Sequence, residues 1–386
     1  MKNNNNITRL LLLSISLLII NGNSFSQDAS SKASGFLNDG LKLKKEKKCE
    51  SAIESYKKAL AINPLHREAL YETGWCYNEM GKYEEAVTFL SKAKQEWPDA
   101  PKVYLELGYA NYQLKKDDVA IMHYNKCLEL DDEYSLAYKY LGDLYYSRQE
   151  YAKALENFKL YIIHAETITS PLFYYKKGYA ENEQGKFDDA IISLKKSIEL
   201  KNDEPKCFDE LGYAFYKLKN AENAIIQYNK SIALKPKSHV PYLGIGDVQR
   251  ILKKNTDEGL ANYLKAAEIN PESKKAYYSA GWCYNNKQQY LTAISYLKKA
   301  LALDKDYKVA LTEIGYSYYS LGEYQNAITN FEKSISLDAK NILPHYYAGL
   351  CYLALKNKSE VLKKVSILEE LKSPYAEKLK TKLDSL

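Results

Sequence analysis

The stretch Gly74-Trp75-Cys76-Tyr77-Asn78 occurs a second time as Gly281-Trp282-Cys283-Tyr284-Asn285. Each copy lies within a longer similarity, in which residues 71–93 correspond to residues 278–300. Glycine recurs ten times in the same local setting, 34 residues apart except for one spacing of 36 and one of 35. Self-similarity at a fixed period of this length indicates an array of repeats instead of one compact core. The recurring glycines are Gly40, Gly74, Gly108, Gly142, Gly178, Gly212, Gly246, Gly281, Gly315 and Gly349.

Each unit of the array has the pattern of two helices joined by a short turn. In the second unit Leu70, Gly74 and Tyr77 fall on one helical face, because they are four and three residues apart. A further glycine, at 81, 185 or 322, is predicted to end the first helix in the left-handed conformation. Alanine recurs in the second helix at 52, 86, 120, 154, 190, 224, 293 and 327, and Gly259 and Val361 depart from this rule. Small residues on both helices predict a close approach of their backbones.

The pattern resembles the tetratricopeptide repeat family, whose consensus is W-x2-L-G-x2-Y followed by A, F, A and P. Tyr104-x2-Leu107-Gly108 and a closing Pro98 are typical matches. The resemblance covers residues 33–372 as ten repeats. It implies an all-α fold, a right-handed superhelical solenoid of helix-turn-helix repeats. Residues 373–386 are charged and amphipathic, and we expect them to form a C-terminal capping helix.

A longer period of about 104 residues, equal to three repeats, is superimposed on the first. Asn78, Asn182 and Asn285 occupy one position of the block. The two irregular glycine spacings fall at block boundaries. Multiplication of a three-repeat block explains both observations, and it predicts longer loops at 164–171 and 253–257.

The amino terminus has the features of a secretory signal peptide, assigned to residues 1–26 and followed by a short linker at 27–32. Lys2 and Arg9 provide positive charge, residues 10–20 are apolar, and Ser24-Phe25-Ser26 is a small-x-small cleavage site. The apolar run is shorter than the ~20 residues that span a bilayer. We therefore expect an exported protein, periplasmic or secreted, with outer-membrane association left open and no transmembrane segment after cleavage. An uncleaved N-terminal anchor is the alternative.

Composition and motifs argue against several functional classes. The formal charge of +6 is too mild to indicate binding of nucleic acid. No nucleophile elbow, phosphate loop, zinc helix or dinucleotide fingerprint occurs, so we expect neither an enzyme, a cofactor nor a metal site. Four cysteines, at 76, 127, 283 and 351, occupy positions filled by small residues in other units, which predicts buried free thiols. Cys49 and Cys207 lie outside these positions and stay unassigned.

The first-helix face carries the candidate binding residues. In the tetratricopeptide family this face lines a concave groove in which peptides lie, and here it carries the recurring triplet Tyr-x3-Trp/Tyr-x2-Asn. The resemblance thus implies a non-enzymatic scaffold that binds peptide or protein segments. Glycan binding and a purely structural adaptor are the alternatives, and duplication alone would also explain the recurrence. The predicted groove residues are Tyr71, Trp75, Asn78, Tyr109, Tyr112, Tyr175, Tyr179, Asn182, Tyr213, Tyr216, Tyr278, Trp282, Asn285, Tyr316 and Tyr319.

We predict that export is accompanied by cleavage between Ser26 and Gln27, because the serines flanking Phe25 fit a signal peptidase site. Intact-mass analysis of the exported protein should give a chain that begins at Gln27. An exported chain that retains Met1 would contradict the prediction.

Overall fold

The computed structural model describes residues 29–201 and 203–385. The predicted signal peptide, residues 1–26, lies outside the described residues. Residues 29–32, which the sequence analysis assigns to a linker, are already helical. The described residues form helices and turns with no strand, and this confirms the all-α prediction.

The chain divides into two units, Met1–Thr169 and Ser170–Leu386. Within each unit, helices that are consecutive in the chain pack against each other as pairs, and each pair packs against the next. The helices of the first unit are α1 (29–45), α2 (Cys49–Ile62), α3 (Arg67–Glu79), α4 (Tyr83–Glu96), α5 (Pro101–Gln113), α6 (Asp117–Leu130), α7 (Ser135–Ser147) and α8 (Tyr151–His164).

The second unit begins with α9 and ends with a single helix after its last pair. Its helices are α9 (Pro171–Glu183), α10 (Phe187–Glu199), α11 (Pro205–Lys217), α12 (Ala221–Leu234), α13 (Val240–Asp247), α14 (Thr256–Ile269), α15 (Lys274–Asn286), α16 (Tyr290–Leu303), α17 (Lys308–Ser320), α18 (Tyr324–Leu337), α19 (Ile342–Ala354), α20 (Lys358–Glu370) and α21 (Tyr375–Asp384).

The recurring glycines set the distance between the two helices of a pair. In α3, a β-carbon added at Gly74 would lie 2.5 Å from Cγ of Leu90 on α4. Real β-carbons do not approach other atoms this closely, so the second-helix side chain occupies the space that glycine leaves. The same relation joins Gly108 to Tyr124 and Gly142 to Phe158. Leu90, Tyr124 and Phe158 are fully buried or nearly so, which makes this contact the centre of each pair.

The turns within the pairs follow the prediction for helix-ending glycines. Gly81, Gly185 and Gly322 have φ angles of 71°, 72° and 77°. After α3, the amide of Gly81 donates to the Asn78 carbonyl, and this bond closes the helix. Lysine or glutamine occupies the same left-handed position in other pairs, for example Lys115 with φ 62°. The turn geometry is therefore kept even where the glycine is absent.

One of the two predicted longer loops is present and the other is not. Residues 165–170 are non-helical, as expected from the spacing of 36. Near 253–257, however, the additional residue is taken up by a π-helical turn, Val248–Leu252, which continues α13. The amide of Lys253 donates to the Val248 carbonyl, five residues back. A one-residue insertion has thus widened a helix, as π-bulges do, instead of lengthening the loop.

The π turn also explains why Gly259 stands where other second helices have alanine. A β-carbon at Gly259 would lie 3.1 Å from Cβ and 3.4 Å from the backbone nitrogen of Arg250. The widened turn brings Arg250 against α14, so the position has little room for a methyl group. The glycine at position 259, which the sequence did not explain, is therefore a consequence of the backbone geometry of the π turn.

The helix predicted at the C-terminus is present as α21. Its Leu379 packs on Gly349 of α19 and lies in one cluster with Val361 and Leu368 of α20. Leu379 therefore fills the place that a second-helix side chain occupies in the other pairs.

All six cysteines are buried and free, which confirms the prediction for positions 76, 127, 283 and 351. Burial raises the pKa of Cys127 and of Cys351 to about 12. Cys49 and Cys207, which the sequence left unassigned, share this environment. The cysteines therefore act as small core residues in this structure.

Candidate functional site

The candidate site is the face of the first helices, and the structure divides its predicted residues into two groups. Tyr71 is buried, with 8% of its surface exposed, and the three recurring asparagines are buried as well. The others keep part of their surface exposed, and Tyr213 has the largest exposure among them, at 36%. The partly exposed or exposed group comprises Trp75, Tyr109, Tyr112, Tyr175, Tyr179, Tyr213, Tyr216, Tyr278, Trp282, Tyr316 and Tyr319.

The three asparagines connect successive first helices. The side-chain amide of Asn78 donates to the Glu106 backbone carbonyl at 3.1 Å and to the Glu106 carboxylate at 2.7 Å. Asn182 makes the same two bonds to Glu210 at 3.0 and 2.9 Å. Asn285 makes them to Glu313 at 3.1 and 2.9 Å. Both amide protons are thus used within the chain. These asparagines are among the predicted groove residues, but neither of their amide protons is left for a partner.

The asparagine oxygens differ between the three copies. The Ser317 hydroxyl donates to Oδ1 of Asn285 at 2.6 Å. The corresponding residues of the other copies are Ala110 and Ala214, which have no hydroxyl group. Accordingly, Oδ1 of Asn78 and of Asn182 is buried without a hydrogen-bond partner. Two of the three connections therefore carry an unsatisfied buried acceptor, which reduces stability.

The glutamates of these connections are functional candidates that the sequence analysis missed. Burial raises the pKa of Glu106 and of Glu210 to about 7, although the asparagine amide partly offsets the effect. Burial also raises the pKa of Glu313. A signal was present in the sequence, because each glutamate follows its asparagine by 28 residues. Lys44 and Glu72 are also 28 residues apart, and they form a salt bridge of 2.5 Å.

Both tryptophans of the predicted groove have a cation over the ring. Nζ of Lys44 lies 3.8 Å from the Trp75 ring centroid. The guanidinium of Arg250 lies 4.5 Å from the Trp282 ring. The π turn positions Arg250 for this contact, and its Nε also donates to the Tyr263 hydroxyl at 3.0 Å. These rings are therefore already engaged in cation–π contacts within the chain.

Among the cavities of the second unit, two lie on the first-helix face at equivalent places one block apart. The larger has a volume of about 350 Å³ and lies between Asp209, Tyr213 and Gly244. The smaller has a volume of about 210 Å³ and lies between Thr312, Tyr316 and Tyr347. The predicted residues Tyr213, Tyr216, Trp282, Asn285 and Tyr316 are among the lining residues of one or the other.

Within residues 29–201 and 203–385, no group of three or more histidine, cysteine, aspartate or glutamate side chains is arranged to hold a metal ion. No helix in the described part of the chain is both long and apolar enough to cross a membrane.

Consecutive helix pairs, packed through glycine and carrying aromatic residues on the first helices, define the class of helical repeat solenoids. Sequence profiles described as tetratricopeptide repeat or TPR repeat match residues 41–101, 101–134, 172–204, 206–238, 262–295 and 315–356. Together these segments make up more than half of the chain. The chain belongs to the tetratricopeptide repeat family.

Individual relatives share only parts of the chain. BBSome complex member bbs-4 of Caenorhabditis elegans is 22% identical over 60% of this chain and 44% of its own length. Type IV pilus assembly protein PilF of Pseudomonas aeruginosa is 31% identical over 28% of this chain and 44% of its own length. The chain thus spans less than half the length of these relatives. A solved structure of Pseudomonas aeruginosa pilF covers 55% of this chain and 96% of its own, with a TM-score of 0.50 and 16% identity, which shows a shared fold.

We predict that Ala214→Ser stabilises the protein by about 0.5–1.5 kcal/mol, because the new hydroxyl can donate to the unsatisfied oxygen of Asn182 as Ser317 does to Asn285. Ala110→Ser should act in the same way on Asn78. Conversely, Ser317→Ala should destabilise by about 1–3 kcal/mol, since it leaves a buried acceptor unpaired. Urea unfolding followed by far-UV circular dichroism measures these changes.

Ala180→Ser is the matched control. Ala180 fills the same buried position, but the preceding repeat has Tyr146 where the others have the asparagine. We expect no stabilisation from this change. If Ala214→Ser were no more stable than Ala180→Ser, the asparagine oxygen would not be the missing partner.

Proposed function

We propose that the chain is a non-enzymatic protein–protein interaction scaffold of the cell envelope, and that it binds peptide or protein segments on its first-helix face. The observation that carries this proposal is the partial exposure of aromatic side chains along the first helices. Tyrosine and tryptophan supply large contact areas and lose little conformational entropy on binding, so they are enriched where proteins meet.

The outer sides of the second helices have a different chemistry. Their charges pair locally, as in Lys126–Glu129, Lys196–Glu199 and Lys265–Glu268, each three residues apart on one helix. Such exposed pairs contribute little to binding energy, because both partners are already solvated. Exposed apolar residues such as Leu291 do occur on these helices, which provides a matched comparison.

Similar proteins support a scaffold role in general terms. One relative is a member of the BBSome complex, and another is a type IV pilus assembly protein. Both names refer to assemblies of several proteins. The proposed location, periplasmic or secreted, is supported by the charged start, the apolar run and the serine pair of residues 1–26.

Glycan binding is the alternative that would use the recurring asparagine amides as hydrogen-bond donors beside aromatic rings. Because the amide protons of Asn78, Asn182 and Asn285 are engaged within the chain, this arrangement offers sugars fewer hydrogen-bond donors than the sequence suggested. Binding of a peptide segment depends more on aromatic contact area than on these donors. We therefore favour a peptide over a glycan as the ligand.

The proposal is tested by photo-crosslinking in an envelope fraction, with p-benzoylphenylalanine placed at Tyr213 or Tyr316 on the first helices. The control positions are Ile192 and Leu291 on second helices, which are 68% and 71% exposed. We expect a common crosslinked protein at both tyrosine positions and at neither control position. Purified partner should then bind Tyr213→Ala/Tyr316→Ala at least ten-fold more weakly, about 1.4 kcal/mol.

A crosslinked partner that is captured from Ile192 and Leu291 instead would place the interaction on the second-helix face. The proposal would also be contradicted if the partner bound Tyr213→Ala/Tyr316→Ala with unchanged affinity and bound Leu291→Ala more weakly.

A further inference from the structure

The cavity between Asp209, Tyr213 and Gly244 differs from the corresponding places in the other blocks because of one glycine. Gly244 lies one block after Tyr140 and one block before Tyr347, at offsets of 104 and 103 residues. Tyr140 packs against Tyr124 with ring centroids 5.7 Å apart, and Tyr347 stacks on Phe331 at 5.9 Å. In these blocks a tyrosine ring therefore fills the position next to the second-helix aromatic residue.

At Gly244 that ring is missing. A β-carbon at this position would lie within 3 Å of the Tyr228 ring, so a side chain from α13 would require that ring to move. The cavity that results has a volume of about 350 Å³, against about 210 Å³ for the cavity that Tyr347 lines. It has room for a side chain supplied from outside, with the rings of Tyr213 and Tyr216 on its wall.

The same cavity carries more acidic residues than its equivalent one block later. Glu183, Asp209, Glu210 and Asp247 all line it. One block later, Glu183 is replaced by Asn286 and Asp209 by Thr312, and only the counterpart of Glu210, Glu313, is an acid that lines the smaller cavity. In the first block Glu79, Glu106 and Asp143 correspond to Glu183, Glu210 and Asp247. Asp209, which stands where the other blocks have Leu105 and Thr312, is therefore the acid that sets this cavity apart.

One of these acids has a carboxylate oxygen that makes no hydrogen bond. Asp209 is buried, with 8% of its surface exposed, and its Oδ1 has no hydrogen bond. Its counterpart Thr312, by contrast, shares a hydrogen bond of 2.9 Å with Ser334. Burial raises the pKa of Asp209 to about 6, an effect that the Ser231 hydroxyl and Lys235 partly offset, and burial raises the pKa of Glu210 to about 7. Lys275 also lines the cavity, and it is bound to Asp247 at 2.8 Å.

We propose that this acidic cavity receives a lysine or arginine side chain of the partner segment, with arginine preferred. The inference rests on the proposed function and specifies the chemistry of the partner. A guanidinium has five donors for the carboxylates of Asp209, Glu210 and Glu183, and its alkyl stem and plane suit the walls formed by Tyr213 and Tyr216. Non-specific attraction does not account for such binding, because the whole chain carries a formal charge of +6.

The test uses two peptides that differ only in one charge: acetyl-Ser-Tyr-Arg-Tyr-Ser-amide and the same peptide with citrulline in place of arginine. Each is titrated into the full mature chain by isothermal calorimetry. We expect the arginine peptide to bind at least ten-fold more tightly. The variant Glu183→Asn/Asp209→Thr, which introduces the residues of the neighbouring block, should abolish this difference.

Asp188→Asn/Glu222→Gln is the charge-matched control, since it removes two exposed carboxylates on the second helices α10 and α12. It should keep the ten-fold preference. Glu183→Asn alone is the second variant, because Glu183 is exposed and its replacement does not affect the core. It should reduce the preference by several fold even if the double variant were to lose helicity.

Equal binding of the two peptides would overturn the inference, as would a preference that persists in Glu183→Asn/Asp209→Thr, or no binding of the arginine peptide. None of these results would affect the proposed function, which is tested by crosslinking of the natural partner at Tyr213 and Tyr316. Loss of that crosslink with a retained arginine preference would overturn the proposed function instead.

Discussion

The contact between a first-helix glycine and a large second-helix side chain is the constraint on which every pair depends. Because Gly74 has no side chain, Leu90 can lie directly against the backbone of α3, and Gly108 accommodates Tyr124 in the same way. This contact fixes the spacing of the pair without using the opposite side of the first helix. That side is therefore available for contacts between repeats and with partners.

The sequence was sufficient to predict this part of the structure. Glycine and alanine spacings indicate helix pairs, and φ of 71° at Gly81 agrees with its predicted place at a helix end. These features are local, since each depends on a periodicity within one repeat. The type of second-helix side chain that packs against the glycine also recurs with the three-repeat block. It is leucine in the corresponding pairs, at Leu90, Leu194 and Leu297.

The roles of the recurring asparagines could not be predicted in the same way. A position on the first-helix face appears accessible when one repeat is considered alone. Only the next helix shows that Asn78 is covered and bonded to Glu106. The π turn could not be predicted either, because a glycine spacing of 35 residues fits an extra residue in a loop as well as an extra residue in a helix.

Departures from the repeat are concentrated near the seventh pair. Gly244 opens the acidic cavity, the turn Val248–Leu252 brings Arg250 onto Trp282, and Gly259 makes room for that turn. Local rules of a fold are broken most often where function requires it. The duplicated residues therefore maintain the array, whereas Gly244 and Asp209, which have no counterpart in the other blocks, shape the cavity for which we propose a ligand.

The claim that duplicated residues such as Asn285 hold successive repeats together is tested most directly by comparing amide hydrogen exchange in Asn285→Ala and Asn286→Ala. The two asparagines are neighbours on α15, but Asn285 is 5% exposed and bonded to Glu313, whereas Asn286 is exposed and bonds within its own helix. If Asn285 connects the repeats, its replacement should speed exchange in α17, which carries Glu313, and Asn286→Ala should leave α17 unchanged. Equal protection of α17 in the two variants would contradict the account.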